Sequence, residues 1–509
     1  MQRKNLRLLI RTDASQVIGV GHLMRCLALA EGWRARGGLV TFLAACQLET
    51  LNARLIKSGF ELEQLAAEPG SLADLDLTRK TAARVGADWI VLDGYHFSAD
   101  YQRLVRGGDI RVFVIDDYGH ADHYTADIIL NQNLHATEAI YNAREPHTKL
   151  LLGTRYTLLR SEFQEWIGWS REVRTPARKI LVTLGGSDTR RETRLVLDAL
   201  KQVDLPNLEA DVVVGSGQSP QPGEISQILD GFDGSIRFHE NVNNMPELMA
   251  NADIAVAAGG TTTWERALLG LPTLVGVLAA NQVELAEDSE RTGIGKNLGS
   301  FHALTASSLA KEIRRLMLDT SARQQMASRG PEIVDGRGVD RVLLKMDASS
   351  LQTRPVEAKD CRTIWEWANE PLTRAASFSS DAIPWEKHVA WFTARLNHPA
   401  CLFLIATDSQ EQPIGQVRFD IDGSNAMISV AMDIRVRGLG YGQELIRIGI
   451  QKLFRDFPVT HVNAFIRTDN RVSQATFFKA GFVSLGTTQV QGQAAFHLVF
   501  QKGQAWVPK

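Results

Sequence analysis

Residues 6–10, Leu6-Arg7-Leu8-Leu9-Ile10, run directly into Arg11-Thr12-Asp13-Ala14-Ser15-Gln16-Val17-Ile18-Gly19-Val20-Gly21-His22-Leu23-Met24-Arg25-Cys26-Leu27-Ala28-Leu29-Ala30. An apolar run, a loop with two glycines and then apolar residues at helical spacing read as strand, tight turn and helix, the opening of a βαβ unit. Gly19 and Gly21 permit close backbone approach at the strand's end. The helix that starts near His22 brings unsatisfied N–H groups and positive potential to the same place. A histidine there has a ring lone pair to offer as a general base near pH 7. The residues also suit a plain glycine-rich turn with a capping histidine, since a lone G-x-G is common.

Outward from this unit, further strands are predicted over 40–44, 89–92, 111–115 and 127–130, with helices over 23–36 and 99–106. A charged stretch at 168–179 precedes a second alternating series. Its strands are predicted over 180–184, 210–214, 236–238, 254–257 and 273–277, its helices over 189–201, 245–251, 263–269 and 307–318. The fold class is therefore α/β, two Rossmann-like domains (1–165 and 166–346) with a cleft between them and ligands beyond the strands' carboxyl ends. The joint Ala348-Ser349-Ser350 leads into a different texture. Helices over 361–369 and 384–396 mix with antiparallel-looking strands over 401–407, 413–420, 425–432, 459–466 and 496–500, an α+β domain at 353–503.

Composition narrows the function classes. The 509 residues carry 56 Lys plus Arg against 58 Asp plus Glu, a net charge of −2, so no nucleic-acid partner is expected. Four scattered cysteines without a CxxC pair fit a reducing compartment rather than a disulfide framework or zinc site. No apolar run approaches the ~20 residues of a membrane helix, and no secretory signal is evident, so a cytoplasmic protein without membrane insertion is expected. The oligomeric state is left open.

Three loops of the second half carry phosphate-type chemistry. Gly185-Gly186-Ser187-Asp188 follows the 180–184 strand as a diphosphate cradle. Gly259-Gly260-Thr261-Thr262-Thr263-Trp264-Glu265 follows 254–257; its hydroxyls and N–H groups suit phosphate oxygens, and Glu265 can accept both ribose hydroxyls. Asn281-Gln282 opens another helix. Gly-Gly is more often simple turn chemistry, but three such loops on one cleft face point to a nucleotide. Asp13, Asp93, Tyr95 and Asp117 stand at strand ends of the first half, to contact a sugar, orient His22 or cap turns. Asp74-Leu75-Asp76 is a DxD that reads as a solvated loop, and His120/His123 lack a third metal ligand. No metal is expected.

On RTDASQVIGVGHLMRCLALA, LLGTRYTLLRSEF (151–163), LVTLGGSD (181–188), AAGGTTTWERALLGLPTL (257–274) and Asn281-Gln282, residues 1–345 resemble the nucleotide-sugar hydrolases of the pseudaminic acid pathway, relatives of the GT-B lipid II N-acetylglucosaminyltransferase. The resemblance implies hydrolysis of UDP-2,4-diacetamido-2,4,6-trideoxy-β-L-altropyranose to UDP and free sugar. His22 would be the base that activates water. Asp13, Gly19, Gly21, Gly186, Ser187, Gly260, Thr261, Thr262, Glu265, Asn281 and Gln282 would contact the UDP-linked amino sugar.

In the last domain, Arg435-Val436-Arg437-Gly438-Leu439-Gly440-Tyr441-Gly442 follows a predicted strand and opens an amphipathic helix, a nest of N–H groups for a pyrophosphate. Arg437 to Gly442 fits R-x-x-G-x-G, and Asn470-Arg-Val-Ser473 with Lys479-Ala-Gly481-Phe482 fits N-x-x-[AS]…K-x-G-F. On both motifs the domain resembles the GNAT N-acetyltransferases. That implies acetyl-CoA as co-substrate, held by Arg435, Arg437, Gly438, Gly440, Gly442, Asn470 and Ser473. Phe477 stands where many members of that family carry a tyrosine proton donor. Trp365, Trp367, Trp385 and Trp391 suit either a sugar face or a helix core, and His388 reads as a satisfied histidine.

Together the resemblances imply a bifunctional enzyme. The C-terminal domain would acetylate C4 of UDP-4-amino-4,6-dideoxy-N-acetyl-β-L-altrosamine before the N-terminal region hydrolyses the product. The alternatives are a true GT-B glycosyltransferase, or a hydrolase of another UDP-diamino sugar joined to a non-catalytic acetyl-CoA-binding domain.

Overall fold

Arg7–Thr12 forms β1, buried after its first residue, and the next strands stack beside it. They are β2 (Leu39–Ala44), β3 (Glu61–Gln64), β4 (Trp89–Asp93), β5 (Arg111–Ile115), β6 (Ile128–Asn131) and β7 (Lys149–Leu152). All pair in parallel, in the order β3-β2-β1-β4-β5-β6-β7. Side chains alternate between the faces. Ile10, Phe42, Val91 and Phe113 pack in one core with the helix Gly21–Ala35, while Leu9, Leu43, Ile90 and Val114 face the other. Coverage of both faces is why these strands read as continuous apolar runs.

The computed structural model describes residues 6–15, 20–46, 48–185, 191–215, 232–240, 242–346, 351–408 and 411–504. Contacts divide the chain into two units, Met1–Met346 and Asp347–Lys509. The first unit holds a second parallel sheet of β8 (Lys179–Thr183), β9 (Leu208–Val214), β10 (Gly234–Glu240), β11 (Ile254–Ala258), β12 (Thr273–Val277) and β13 (Gly295–Ser300). Its order is β10-β9-β8-β11-β12-β13. This is the GT-B class expected from the sequence.

Strand order places the loops that matter. In each sheet the winding reverses beside the first strand, between β1 and β4 and between β8 and β11. A crevice opens where crossovers leave to opposite sides, so the loops after those four strands are free to line it. The chain then returns to its start. Val339, Val342, Leu343 and Met346 of the helix Gly338–Met346 are buried in the core of the first sheet, though the sequence groups 338–346 with the second half. Gly32 gives that helix room, since a Cβ there would sit 2.5 Å from Val339 Cγ1.

The second unit is one sheet, β14 (Gln352–Pro355), β15 (Cys401–Thr407), β16 (Pro413–Asp422), β17 (Asn425–Met432), β18 (His461–Arg467), β19 (Val483–Val490) and β20 (Gln493–Gln501), in the order β14-β15-β16-β17-β18-β20-β19. The expectation of antiparallel strands fails at one place. β17 and β18 run parallel, and only Asn425–Met427 pair with His461–Asn463 before the two part. The helix Tyr441–Asp456 makes that crossover, as a parallel pair requires.

Asp74 is corrected too. It lies in the helix Leu72–Val85, not a solvated loop, and is fully buried where its carboxylate accepts from Arg11 Nε and Nη2 at 2.9 Å. No helix among the described residues is long and apolar enough to cross a membrane.

Candidate active sites

Both crevices open onto one cleft of about 1050 Å³ within the first unit. His22 is the second residue of the helix Gly21–Ala35 and lines the cleft. It does not cap that helix, whose N-cap position is Val20 with no side-chain cap bond. Instead its Nδ1 lies 2.6 Å from Asp93 Oδ1, at the end of β4. Arg25, one turn further along the same face, donates to both Asp93 oxygens at 2.7 and 2.8 Å and to Asp117 at 2.9 Å. Asp117 also accepts from the Tyr95 hydroxyl at 2.7 Å and from Asn133 Nδ2 at 2.8 Å, and the Tyr95 ring meets the imidazole edge-on.

The electrostatics follow from this pairing. Burial alone would raise the Asp93 carboxyl, but the adjacent Arg25 charge and its hydrogen bonds hold it at about 2. Burial and then the same guanidinium act likewise on Asp117, with the net direction well below the usual carboxylate range. An ionised carboxylate only accepts, so the short contact puts the ring proton on Nδ1 and leaves the Nε2 lone pair for the cleft. Asp93 therefore orients His22, one of the alternatives left open by the sequence.

A stability consequence can be checked. Asp93 binds its proton less readily folded than unfolded, so its contribution is complete above about pH 4 and fades as pH falls through about 2. The shift corresponds to about 2 kcal/mol. Urea melts should show the gap between wild type and Asp93→Asn closing by about that amount from pH 4 to pH 2. A gap independent of pH would contradict the assignment.

Gly259 to Thr262 lies across the cleft. Gly21 touches it, because a Cβ on Gly21 would lie 3.2 Å from Thr261 Oγ1. Gly260 faces open space, and Gly259 packs against the Gln282 backbone, where a Cβ would come within 3.0 Å of the carbonyl. Glu265 is buried, with Oε1 accepting from Arg160 Nε at 3.0 Å and Oε2 without a partner among the described residues. Arg160 also lies 2.7 Å from Glu162, which Arg54 reaches at 3.0 Å. Arg160, itself paired with Glu162, thus fixes one oxygen of Glu265, while the other is buried without a partner among the described residues.

The remaining candidates divide. Thr261, Thr262 and Asn281 line the cleft; Gln282 does too, while its Oε1 accepts from the Leu278 N–H at 2.9 Å. Asp13 does not line it. Its carboxylate, 2% exposed, is taken by Arg11, the Ala45 N–H at 2.7 Å and His96 at 3.1 Å. Gly19, Gly186 and Ser187 lie outside the described residues, although Gly185 reaches the cleft. His120 and His123 are engaged separately, by Asp116 and Glu145. Arg25, Arg54, Asn133, His135 and Arg160 were missed from sequence. Only Arg25 gave a signal, its i, i+3 spacing from His22.

In the second unit Gly438 and Gly440 adopt φ of +78° and +96°, and Gly440 is the N-cap position of the helix Tyr441–Asp456. The glycine turn thereby delivers the opening N–H groups of that helix, which no earlier turn can satisfy. Both arginines are held by protein partners, Arg437 partly buried and Arg435 exposed. Arg435 is held by Asp433 at 2.8 and 2.9 Å, and Arg437 by the Met432 carbonyl, Glu370 and Thr373 at 2.7–3.0 Å. Gly442 packs on Thr476. Asn470 caps the helix Arg471–Lys479 by accepting from the Ser473 N–H at 3.1 Å. Phe477 is buried edge-on against Phe482, and His388 is buried with Nε2 3.1 Å from the Cys361 carbonyl.

Residues 179–335 match the glycosyltransferase family 28 C-terminal domain, and residues 350–483 the acetyltransferase (GNAT) domain. Over 490 residues the chain is 22% identical to the uncharacterized protein MJ1062 of Methanocaldococcus jannaschii, covering 94% of this chain and 96% of that one. It is 25% identical over 338 residues to the spore coat polysaccharide biosynthesis protein SpsG of Bacillus subtilis (65% and 95%). It is 23% identical over 267 residues to the UDP-2,4-diacetamido-2,4,6-trideoxy-beta-L-altropyranose hydrolase of Campylobacter jejuni (52% and 89%). The crystal structure of Acinetobacter baumannii MurG aligns with 17% identity and a TM-score of 0.48 over 66% of this chain and 98% of that one. The chain thus joins a region similar to UDP-sugar hydrolases to a region that matches the GNAT acetyltransferase domain.

Proposed function

We propose that residues 1–346 hydrolyse a UDP-linked 2,4-diacetamido sugar and that residues 353–503 install its second acetyl group from acetyl-CoA. The observation that carries the first part is the Asp93-oriented His22 placed beside the Gly259–Thr262 loop, with Gly21 against Thr261. Residues 1–165 supply the base and 166–346 hold the nucleotide. His22 Nε2 takes a proton from water as the water oxygen bonds to the anomeric carbon. The bond from that carbon to the diphosphate oxygen breaks, and UDP leaves with the electron pair. Oriented donors of the glycine–threonine loop stabilise the charge that develops there. Attack opposite the leaving group inverts the anomeric centre. The proton on His22 then passes to solvent.

For the second unit, the parted β17 and β18 and the glycine turn support acetyl-CoA binding. The acceptor is read as the C4 amine of UDP-4-amino-4,6-dideoxy-N-acetyl-β-L-altrosamine, whose acetylation produces the hydrolase substrate. Phe477 carries no proton, so the thiolate leaves without a donor at that position, at a cost of ~10²–10⁴ in rate relative to an assisted reaction. The SpsG similarity favours one second reading, the same two reactions on a different UDP-diamino sugar bound for a surface polysaccharide.

Two measurements test this reading. Purified protein given the UDP-diacetamido sugar without an acceptor should release stoichiometric UDP and free sugar; a requirement for an acceptor hydroxyl would make it a glycosyltransferase. Thiol release from acetyl-CoA should depend on the 4-amino sugar; a domain that binds acetyl-CoA without such release would be a sensor. For Glu265→Gln we expect KM for the UDP-sugar to rise about 10–100-fold with kcat nearly unchanged, the worth of a hydrogen bond to a charged acceptor. A kcat loss at constant KM would remove Glu265 from ribose binding.

A further inference from the structure

Arg266 is only 2% exposed and lies behind the glycine–threonine loop of the cleft. Its Nη1 donates to Thr262 Oγ1 at 2.9 Å, and its Nη2 to Thr263 Oγ1 at 2.9 Å and to the Ala258 carbonyl at 3.2 Å. Among the described residues its Nε has no partner and no carboxylate pairs with it. Among the described residues Arg323, equally buried in this unit, also has only carbonyl and hydroxyl partners, but it sits away from the cleft lining; two other buried arginines have carboxylates. Arg11 has Asp13 and Asp74, and Arg25 has Asp93 and Asp117. Burial draws the Arg266 guanidinium down to about 10, with Glu265 only partly opposing. A buried charge without a counter-charge destabilises a fold, which makes its retention here informative.

The hydrogen bonds give the reason. Thr262 Oγ1 spends a lone pair on the guanidinium, so its own proton is turned elsewhere, and Thr262 lines the cleft. We infer that Arg266 is a positioning residue that aims the Thr262 hydroxyl as a donor and holds a fixed positive charge behind the cleft wall, so that the diphosphate of a nucleoside diphosphate supplies its missing counter-charge. This deepens the proposed function and rests on it. The arginine never reaches the ligand; it acts through Thr262 and through the field of a charge screened little by water. Ligand-free stability is thereby traded for affinity toward an anion.

The test compares wild type, Arg266→Met, Arg266→Lys and Thr262→Val by calorimetric binding of UDP, UMP and uridine, with thermal melts of each ligand-free protein. Arg266→Met should melt at or above the wild-type temperature. Its UDP affinity should fall at least 30-fold, its UMP affinity less, and its uridine affinity stay within twofold. Arg266→Lys should recover part of the UDP affinity, and Thr262→Val should lose UDP affinity while keeping uridine affinity. Equal losses for UDP and uridine in Arg266→Met, or a lowered melting temperature that Arg266→Lys fails to rescue, would make the residue merely structural and overturn the inference. UDP binding left intact by Arg266→Met would overturn it while the proposed function stands. A wild type that binds no uridine nucleotide would overturn both.

Discussion

Replacing His22 by alanine is expected to lower UDP-sugar hydrolysis by roughly 10²–10⁴ while UDP binds almost as before. The separation follows from where the groups sit. The imidazole belongs to the first turn of the helix after β1, whereas Glu265 and the glycine–threonine loop belong to the other sheet, after β11. Removing the ring leaves Arg25 clasping both Asp93 and Asp117, so no buried charge loses its main partner and the fold should persist. Steady-state UDP release and calorimetric UDP binding are the two readouts. Activity within tenfold of wild type would remove His22 as the base, and parallel loss of UDP binding would make it a nucleotide contact instead.

Placing aspartate at Gly440 is expected to abolish acetyl transfer, by at least 10³-fold, with hydrolysis unchanged. Two effects add. Gly440 holds φ of +96°, a conformation that costs a side chain about 1–3 kcal/mol. The new carboxylate also lies at the head of the helix Tyr441–Asp456, where a pyrophosphate would need those N–H groups, and like charges repel. The residue lies in the unit Asp347–Lys509, so the cleft of Met1–Met346 should be untouched. Rates of thiol release and of UDP release from one preparation decide it. Concurrent loss of hydrolysis would show that the two activities are not independent.

Fold and site were legible to different depths, for physical reasons. Strands buried on both faces announce themselves as apolar runs, and β4, β5, β11 and β12 stand within a residue of their expected positions. Strands β3, β14 and β19 lie at sheet edges, are largely polar, and left no such trace, as in Glu61-Leu62-Glu63-Gln64. The helix Gly338–Met346 is amphipathic, which says that it packs but not on which core. His22 stood out because glycine, histidine and helix start coincide in a short span. Arg160 did not, because its meaning depends on Glu265, 105 residues away, a pairing that only the folded chain creates. Asp13 shows the reverse case, a strand-end carboxylate expected at the ligand but lying outside the cleft lining, with Oδ1 held by Arg11 and the Ala45 N–H.

The central claim is that water, deprotonated at His22 Nε2, attacks the anomeric carbon and not the diphosphate. Its most direct measurement is hydrolysis of the UDP-2,4-diacetamido sugar in ¹⁸O-water, with mass spectrometry of the UDP released. Attack at carbon predicts UDP free of label, formed in the absence of any acceptor. UDP carrying one ¹⁸O would place the attack at phosphorus and contradict the account.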